Sequence, residues 1–531
     1  MKKPKRKDGE EQLKSYCNAE GSPIGVWTNG EQIEVWHREK PNNFISISDI
    51  PSSDQTLEQL ITEPWTIEKL TNENKLLTEK KSLRDIITTL EDLVLANSGA
   101  DSFEEIFKLI YAKLYDEWAA TNIRTRKERI NFRIYGESKS ELYEKINGLF
   151  NEAKNKWKGV FGDLDKIELT STHLETCVSF LQDIKLFNSN LYVIDEAFEY
   201  LVTQVAKGSK GQYFTPRHVI DMAIAMLNPQ EDEYVIDPAA GSCGFTVHSI
   251  FHIAGQQFTN QRLPEHAREF AQNNVFGIDF DVRAIKVAKA LNLIAGDGKT
   301  NVYRANSLDS SSWNDEVRSA LRPFLRRFPK NQKLDEENQK LFRYFDFDVL
   351  LTNPPFAGDV SEKHILREFE LAQKKGKQLS KVNRDTLFLE KAFNLLKDGG
   401  RMAIVLPQGK FNNTNEGFIR EFIMKQGRIL AVVSLDDNTF KPHTGTKTSI
   451  LFVQKWNEKL CPKKENYPIF FAKSTKTGKD SSGEYVFLKD QRHETILDSH
   501  GHPRIEHDLD EIASEFKKFA KTEKLSFWIN K

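Results

Sequence analysis

Cysteine is scarce: 531 residues hold four, Cys17, Cys177, Cys243 and Cys461. They lie far apart and lack the CxxC or Cys/His spacing of a zinc motif, so reduced thiols, no disulfide and no structural metal are expected. Long apolar runs are missing as well. No stretch approaches the roughly 18 apolar residues of a membrane span, and the opening MKKPKRKDGEEQ has no hydrophobic segment behind it, so the expectation is a cytoplasmic chain with neither a span nor a signal peptide. An excess of one charge is also lacking. The 76 Lys and Arg against 77 Asp and Glu leave a net charge of −1, so nucleic acid, if bound, must meet local basic patches or a partner. There is no fixed-period repeat and no low-complexity tract.

What is present divides into four stretches, as expected for a length beyond what one core serves. Residues 1–62 contain GVWTNGEQIEVWHRE, where Val26, Trp27, Ile33, Val35 and Trp36 flank Asn29-Gly30. That pair tolerates the positive φ of a tight turn, which predicts a small β-containing segment with a hairpin. Over 63–205 apolar residues recur at helical spacing, as in Phe103, Ile106, Phe107 and Ile110 behind a Ser102/Glu105 capping box, so a helical N-terminal domain is expected. Residues 206–456 alternate short apolar runs (YVID, NVFGID, FDVLLT, RMAIVLP, ILAVVSL, SILFVQKW) with helical stretches, the pattern of an α/β domain with helices on both faces of a parallel or mixed sheet. Residues 457–531 are charged and partly helical, and read as a tail that docks on the domain or on a partner.

Three motifs carry chemistry. Strand YVID runs into the small-residue turn Asp237-Pro238-Ala239-Ala240-Gly241-Ser242-Cys243-Gly244-Phe245 and then a helix; small residues let backbone approach a ligand closely, although a tight αβ connection has the same composition. The next strand ends in Asp279, placed to bond a ribose diol or else to cap the following helix. The strand FDVLLT then enters Asn353-Pro354-Pro355-Phe356, where two prolines fix the backbone. An exocyclic amine on a nucleobase is a poor nucleophile because its lone pair is delocalised into the ring. Acceptors aimed at both amino hydrogens draw that pair back onto nitrogen, and the Asn353 side-chain oxygen and Pro354 carbonyl can supply them while Phe356 stacks on an extruded base. Such catalysis works by positioning and polarisation, without a covalent enzyme intermediate or a metal. A plain Pro-Pro turn remains the alternative for NPPF alone, and is the weaker one once both upstream motifs stand in order.

At this point the residues resemble a known family, the modification subunits of type I restriction-modification systems within the N6-adenine DNA methyltransferases, over roughly 65–456. Besides NPPF, the run Gly211-Gln212-Tyr213-Phe214-Thr215-Pro216-Arg217 is similar to the family's QYFTPR element, which closes over the methionine portion of the cofactor. The resemblance implies a Rossmann-like S-adenosylmethionine-dependent methyltransferase domain that modifies adenine N6 in DNA. It also implies S-adenosyl-L-methionine held by Gln212 to Arg217, Asp237, Gly241, Ser242, Cys243, Gly244, Asp279 and Asn306, the last approaching the cofactor adenine. Cys243 stands where many members have glycine. For partners it implies double-stranded DNA, a separate specificity subunit carrying two modification subunits, and a restriction subunit as a further component. The N-terminus resembles the distal part of a nuclease-like domain whose metal-binding carboxylates would lie before Met1, so no nuclease activity is expected of the chain as it stands, which reads as a degenerate domain or a start inside a longer frame.

Two basic stretches are candidates for phosphate contact. Arg318, Arg322 and Arg326 share a helical face if their stretch is a helix, with Arg327, Lys330 and Lys333 beyond; a solvated surface helix is the alternative. Lys374-Lys375-Gly376-Lys377, with Lys381 and Arg384, could form a loop over the target base. The rival functions are methylation of RNA bases or glutamine side chains, which are likewise planar amines, and a binding module that has lost catalysis.

Overall fold

The computed structural model describes residues 6–28, 33–47, 50, 65–75, 83–93, 101–121, 129–158, 160–187, 215–255, 263–294, 300–374, 376–497 and 503–529. The chain divides into two compact units, Met1–Ala197 and Phe198–Lys531. Among the described residues no helix is long and apolar enough to cross a membrane.

The first unit opens with a helix, α1 (Arg6–Glu20), followed by a meander of β1 (Ile24–Thr28), β2 (Ile33–Lys40) and β3 (Asn43–Ile47). Thr28 pairs with Ile33 across an antiparallel ladder; the Asn29-Gly30 turn itself lies outside the described residues. Beyond it, α2 (Ser102–Thr121), α3 (Lys139–Lys156) and α4 (Ser171–Leu181) form a helical body. The start of α2 differs from the expected Ser102/Glu105 box. Asp101 caps it, taking the Glu104 N–H on its side chain and the Glu105 N–H on its carbonyl. Glu105 is instead buried and accepts the Glu168 N–H, while Asp116 accepts those of Asn131 and Phe132 and Glu117 those of Leu186 and Phe187. Buried carboxylates thus hold loops onto α2, since a buried N–H must find an acceptor.

The second unit is built on an eight-stranded sheet. Its elements are α5 (Arg217–Leu227), β4 (Val235–Asp237), α6 (Gly244–Ala254), α7 (Glu265–Asn273), β5 (Val275–Asp279), α8 (Val282–Ile294), β6 (Val302–Arg304), β7 (Phe347–Thr352), α9 (Arg384–Leu395), β8 (Leu396–Pro407), α10 (Gly417–Gln426), β9 (Gly427–Ser434), β10 (Thr448–Lys455), β11 (Phe470–Lys473) and α11 (Leu509–Thr522). The strand order is β11-β9-β10-β8-β7-β4-β5-β6. Strands β8, β7, β4, β5 and β6 run parallel; β10 is antiparallel to both β8 and β9. Every residue of β7 and β10 is buried, as continuous apolar runs in a sheet covered on both faces must be. The two-residue side-chain period sorts them. Val235, Val349, Leu351, Ala403 and Val405 face the helices α5, α6, α7 and α11, while Ile236, Leu350, Met402 and Ile404 face α9 and α10. Residues after 456 belong to this unit: β11 adds a strand beside β9, and Leu509, Phe516 and Ala520 of α11 enter the core.

The arginine stretch does not form the expected face. Its helix, Asp315–Leu321, stops before Arg322 and a 3₁₀ turn follows. Arg318 donates to the carbonyls of Trp313 and Ser310, and Arg326 donates to Asp346 and to the carbonyls of Phe345 and Leu396. Both guanidinium groups are consumed in tying backbone together, so of the three only Arg322 faces solvent.

Candidate active site

From β4 the chain crosses outward to β5 and β6, then returns to β7 on the other side of β4. Connections that leave two adjacent parallel strands in opposite directions open a crevice at their carboxyl ends. Both motifs stand at this crevice: the turn after Asp237 ends β4 and Asn353 follows β7.

The turn after β4 is tight because the Cys243 N–H returns to the Ala240 carbonyl at 2.7 Å, and the Ala240 N–H donates to the carbonyl of Ile278 on β5. Gly241 has φ +51, which disfavours a side chain, and a Cβ there would meet nothing within 4 Å. The backbone at Gly241 is therefore open to a ligand. Cys243 also takes a positive φ, +68, as cap of α6, which explains why glycine suits the position. Its thiol is accommodated because Gly277 has no Cβ; one would sit 3.0 Å from the sulfur. Burial pushes that thiol up to about 12, so Cys243 fills space rather than reacting. Ser242 is buried and Gly244 half-buried beside it, where a Cβ on Gly244 would press within 2.7 Å of Ile220 on α5.

Asp279 ends β5 and accepts the N–H of Gly241 at 2.9 Å and of Asp281 at 2.8 Å. It joins the two halves of the cradle as well as capping the next turn, and burial raises its carboxyl above the usual range. Asp237 is buried, accepts the Ala239 N–H at 3.0 Å, and burial pushes it up to about 7. Asn306 caps its own loop through the Leu308 N–H, and Ser307 donates to the Pro238 carbonyl at 2.5 Å, drawing the loop after β6 onto the turn after β4. Two residues join the site without having been singled out. Phe280, next to Asp279, is 69% exposed, a large ring offered to solvent at the rim. Phe440 meets Phe356 edge-on, centroids 5.8 Å apart at 90°. An aromatic directly after a strand-end acid is a readable signal for the first; the second lies 84 positions from its partner and has none.

Asn353 donates its amide to the Thr215 hydroxyl at 3.0 Å. Thr215 precedes Pro216, the cap of α5, with Arg217 as the first helical residue, so the end of the QYFTPR run reaches the Asn353-Pro354-Pro355-Phe356 tetrapeptide across 138 residues of sequence. Gln212, Tyr213 and Phe214 lie outside the described residues. Pro354 is buried, and Pro355 and Phe356 are half-buried.

After NPPF the chain builds a small core of its own. Val360, Ile365, Leu366, Phe369, Val382, Leu387 and Phe388 pack with Leu308, and Ala239 of the β4 turn lies against them. The basic stretch emerges from this insertion as a short hairpin, Gln373–Lys374 paired with Lys377–Gln378, on which Lys374 and Lys377 are exposed. Lys381 pairs with Asp359 at 2.8 Å; Lys375 lies outside the described residues.

The family profile described as N-6 DNA methylase matches residues 190–526. Among curated relatives, the type I restriction enzyme EcoEI methylase subunit of Escherichia coli is 23% identical over 415 residues, 70% of this chain and 75% of that one. The type I restriction enzyme StySPI methylase subunit of Salmonella potsdam is 28% identical over 251 residues, 47% of this chain and 41% of that one. A solved chain from work on complex assembly and conformational transition of the type I R-M system superposes with a TM-score of 0.53 at 20% identity, over 84% of this chain and 85% of that one. A modification subunit from Vibrio vulnificus YJ016 gives 0.51 at 17% identity, over 82% and 89%. These two solved structures bear on the fold, which they share with the second unit's α/β architecture. The profile spans more than half the chain, and the chain belongs to the N-6 DNA methylase family.

Proposed function

We propose that this member of the N-6 DNA methylase family works as the modification subunit of a type I restriction-modification system. It transfers a methyl group from S-adenosyl-L-methionine to adenine N6 in double-stranded DNA. A specificity subunit carrying two such chains supplies sequence recognition, and a restriction subunit is a further partner. The observation that carries the reading is the 3.0 Å bond from Asn353 to Thr215 at the end of the strand beside the Gly241 cradle.

The cradle fits the cofactor. Open space over Gly241, the helix start after Cys243 and the Asp279 carboxylate suit an amino-acid tail and a ribose diol. Asp237, Gly241, Ser242, Cys243 and Gly244 would line the tail, with Gln212 to Arg217 closing over it. Asp279 would take the ribose, and Asn306 with Phe280 the adenine ring. When bound, the cofactor supplies an electrophilic methyl group. The chain's own residues prepare the nucleophile: Asn353, its amide anchored on Thr215, would present its oxygen to one amino hydrogen of the extruded base, and the Pro354 carbonyl would accept the other. Phe356, backed edge-on by Phe440, provides a face for the base. The basic hairpin at Lys374 and Lys377, with Arg384, lies on the insertion beside the crevice and is a candidate for the DNA backbone.

Labelled methyl transfer to unmodified DNA tests this, with the chain alone, with its specificity subunit, and with Asn353→Ala. Label on adenine N6 that requires the partner and vanishes in the variant supports the assignment; label appearing only on RNA or protein overturns it.

A further inference from the structure

Residues 474–497 and 503–508 pair into a ribbon folded back on itself. Bridges pair Thr477 with His507, Lys479 with Tyr485, Phe487 with Ile505, Lys489 with Thr495 and Leu497 with Pro503. Acidic residues shape its turns. Asp480 accepts the N–H groups of Ser482, Gly483 and Glu484, and Asp490 those of Arg492 and Glu494. At the base, Asp508 accepts from the Ser474 hydroxyl and the N–H groups of Thr475 and Lys476. Among the described residues no apolar side chain of the ribbon is fully buried, so it contributes little to the core.

Its base instead touches both walls of the catalytic tetrapeptide. On one side the His507 ring stacks on His218 at 5.0 Å and 14°. His218 is the second residue of α5, three positions after the Thr215 that anchors Asn353. Burial pushes the His218 imidazole down to about 3, so the ring that stacks on His507 is uncharged. On the other side the Lys479 ammonium donates to the Lys441 carbonyl at 3.0 Å, and Gly483 comes so close to Pro442 that a Cβ would lie 2.5 Å from its nitrogen. Lys441 follows Phe440, the ring that meets Phe356. Thr215 and Phe440 both sit in connecting segments, outside the strands, so no sheet ladder fixes them.

We propose that the ribbon is a brace that sets the catalytic tetrapeptide, with His507 and Lys479 as positioning residues that act through Thr215 and Phe440. The proposal rests on the reading of Asn353 and Phe356 as the base-binding groups. A brace that touches both walls limits how far either side chain can drift, and small misplacements at a reacting centre reduce turnover steeply.

The test is methyl transfer to unmodified DNA by the chain with its specificity subunit. His507→Ala is expected to lower kcat about tenfold, with the KM for DNA and the affinity for S-adenosyl-L-methionine changed by less than about twofold. His507→Phe, which keeps the ring stack, is expected to recover most of the rate. Thr215→Ala alone lowers kcat, and adding His507→Ala to it lowers kcat no further, because one acts through the other. Lys479→Met, which loosens the opposite wall, still lowers kcat in that background. Additive losses from His507 and Thr215, a parallel fall in cofactor affinity, or a His507→Phe protein as slow as His507→Ala would overturn the brace. Asn353→Ala separates the two readings: activity retained there sinks the catalytic assignment, whereas an inactive Asn353→Ala beside a fully active His507→Ala sinks the brace alone.

Discussion

Asp237 offers a test in which the sign and the pH window both follow from burial. In the folded chain its carboxyl is pushed from 3.8 up to about 7 by desolvation, relieved only in part by groups such as the Ala239 N–H. Below about pH 4 the group is protonated in both folded and unfolded chains and contributes no difference. Between 4 and 7 the folded chain keeps its proton while the unfolded chain has lost it. Stability therefore falls as pH rises, by roughly 1.4 kcal/mol per unit, and by about 4 kcal/mol in all once the pH passes 7. Asp237→Asn removes the charge and keeps an oxygen for the Ala239 N–H. The variant should match the parent near pH 4 and exceed it by up to about 4 kcal/mol at pH 8. Urea unfolding of both proteins at pH 5, 6, 7 and 8 measures the gap directly, and the difference between them cancels the other titrating groups. A gap that does not change with pH, or a variant less stable than the parent at pH 8, would refute the argument that desolvation dominates at this carboxyl.

Other perturbations bear on the site and its frame. Thr215→Val keeps the shape but removes the anchor of the Asn353 amide, and should reduce kcat about 10- to 100-fold with cofactor affinity little changed, read by single-turnover methyl transfer. Cys243 should resist a maleimide in the folded chain and react on unfolding, and Cys243→Gly should shift stability by no more than about 1 kcal/mol, as relief of the positive φ offsets the lost packing. Arg401 is buried, forks onto Glu233 at 2.7 Å and donates to the Leu227 and Asn228 carbonyls; Arg401→Met strands those acceptors and should cost about 3–5 kcal/mol in thermal or urea unfolding. Phe280→Ala should weaken S-adenosyl-L-methionine binding about tenfold in equilibrium dialysis while leaving the melting temperature of the free chain unchanged, since the ring is exposed.

Much of this protein was legible one segment at a time. The apolar runs of the second unit became strands because a sheet covered on both faces needs unbroken hydrophobic stretches, and small-residue or proline breaks at the ends of β4 and β7 mark where the chain turns at the crevice. Tertiary context decided the local exceptions. Ser102 lost the capping role to Asp101 because Glu105 was drawn inward to hold the Glu168 N–H. The evenly spaced arginines failed to share a helix face because the helix ends at Leu321 ahead of the Pro323 turn, and Arg318 and Arg326 bond backbone carbonyls instead.

The sequence by itself determined the strand and turn motifs, their order, and hence the α/β class and the candidate catalytic tetrapeptide, because each of those signals is written in contiguous residues. Only the tertiary structure decided that Thr215 anchors Asn353, that Phe440 backs Phe356, that Asp279 grips the Gly241 turn, and that β11 and α11 of the C-terminal stretch complete the sheet and its core. Those pairings join residues far apart in the chain, and no local spacing encodes them; they exist because the crossovers place separate strand ends and loops around one crevice.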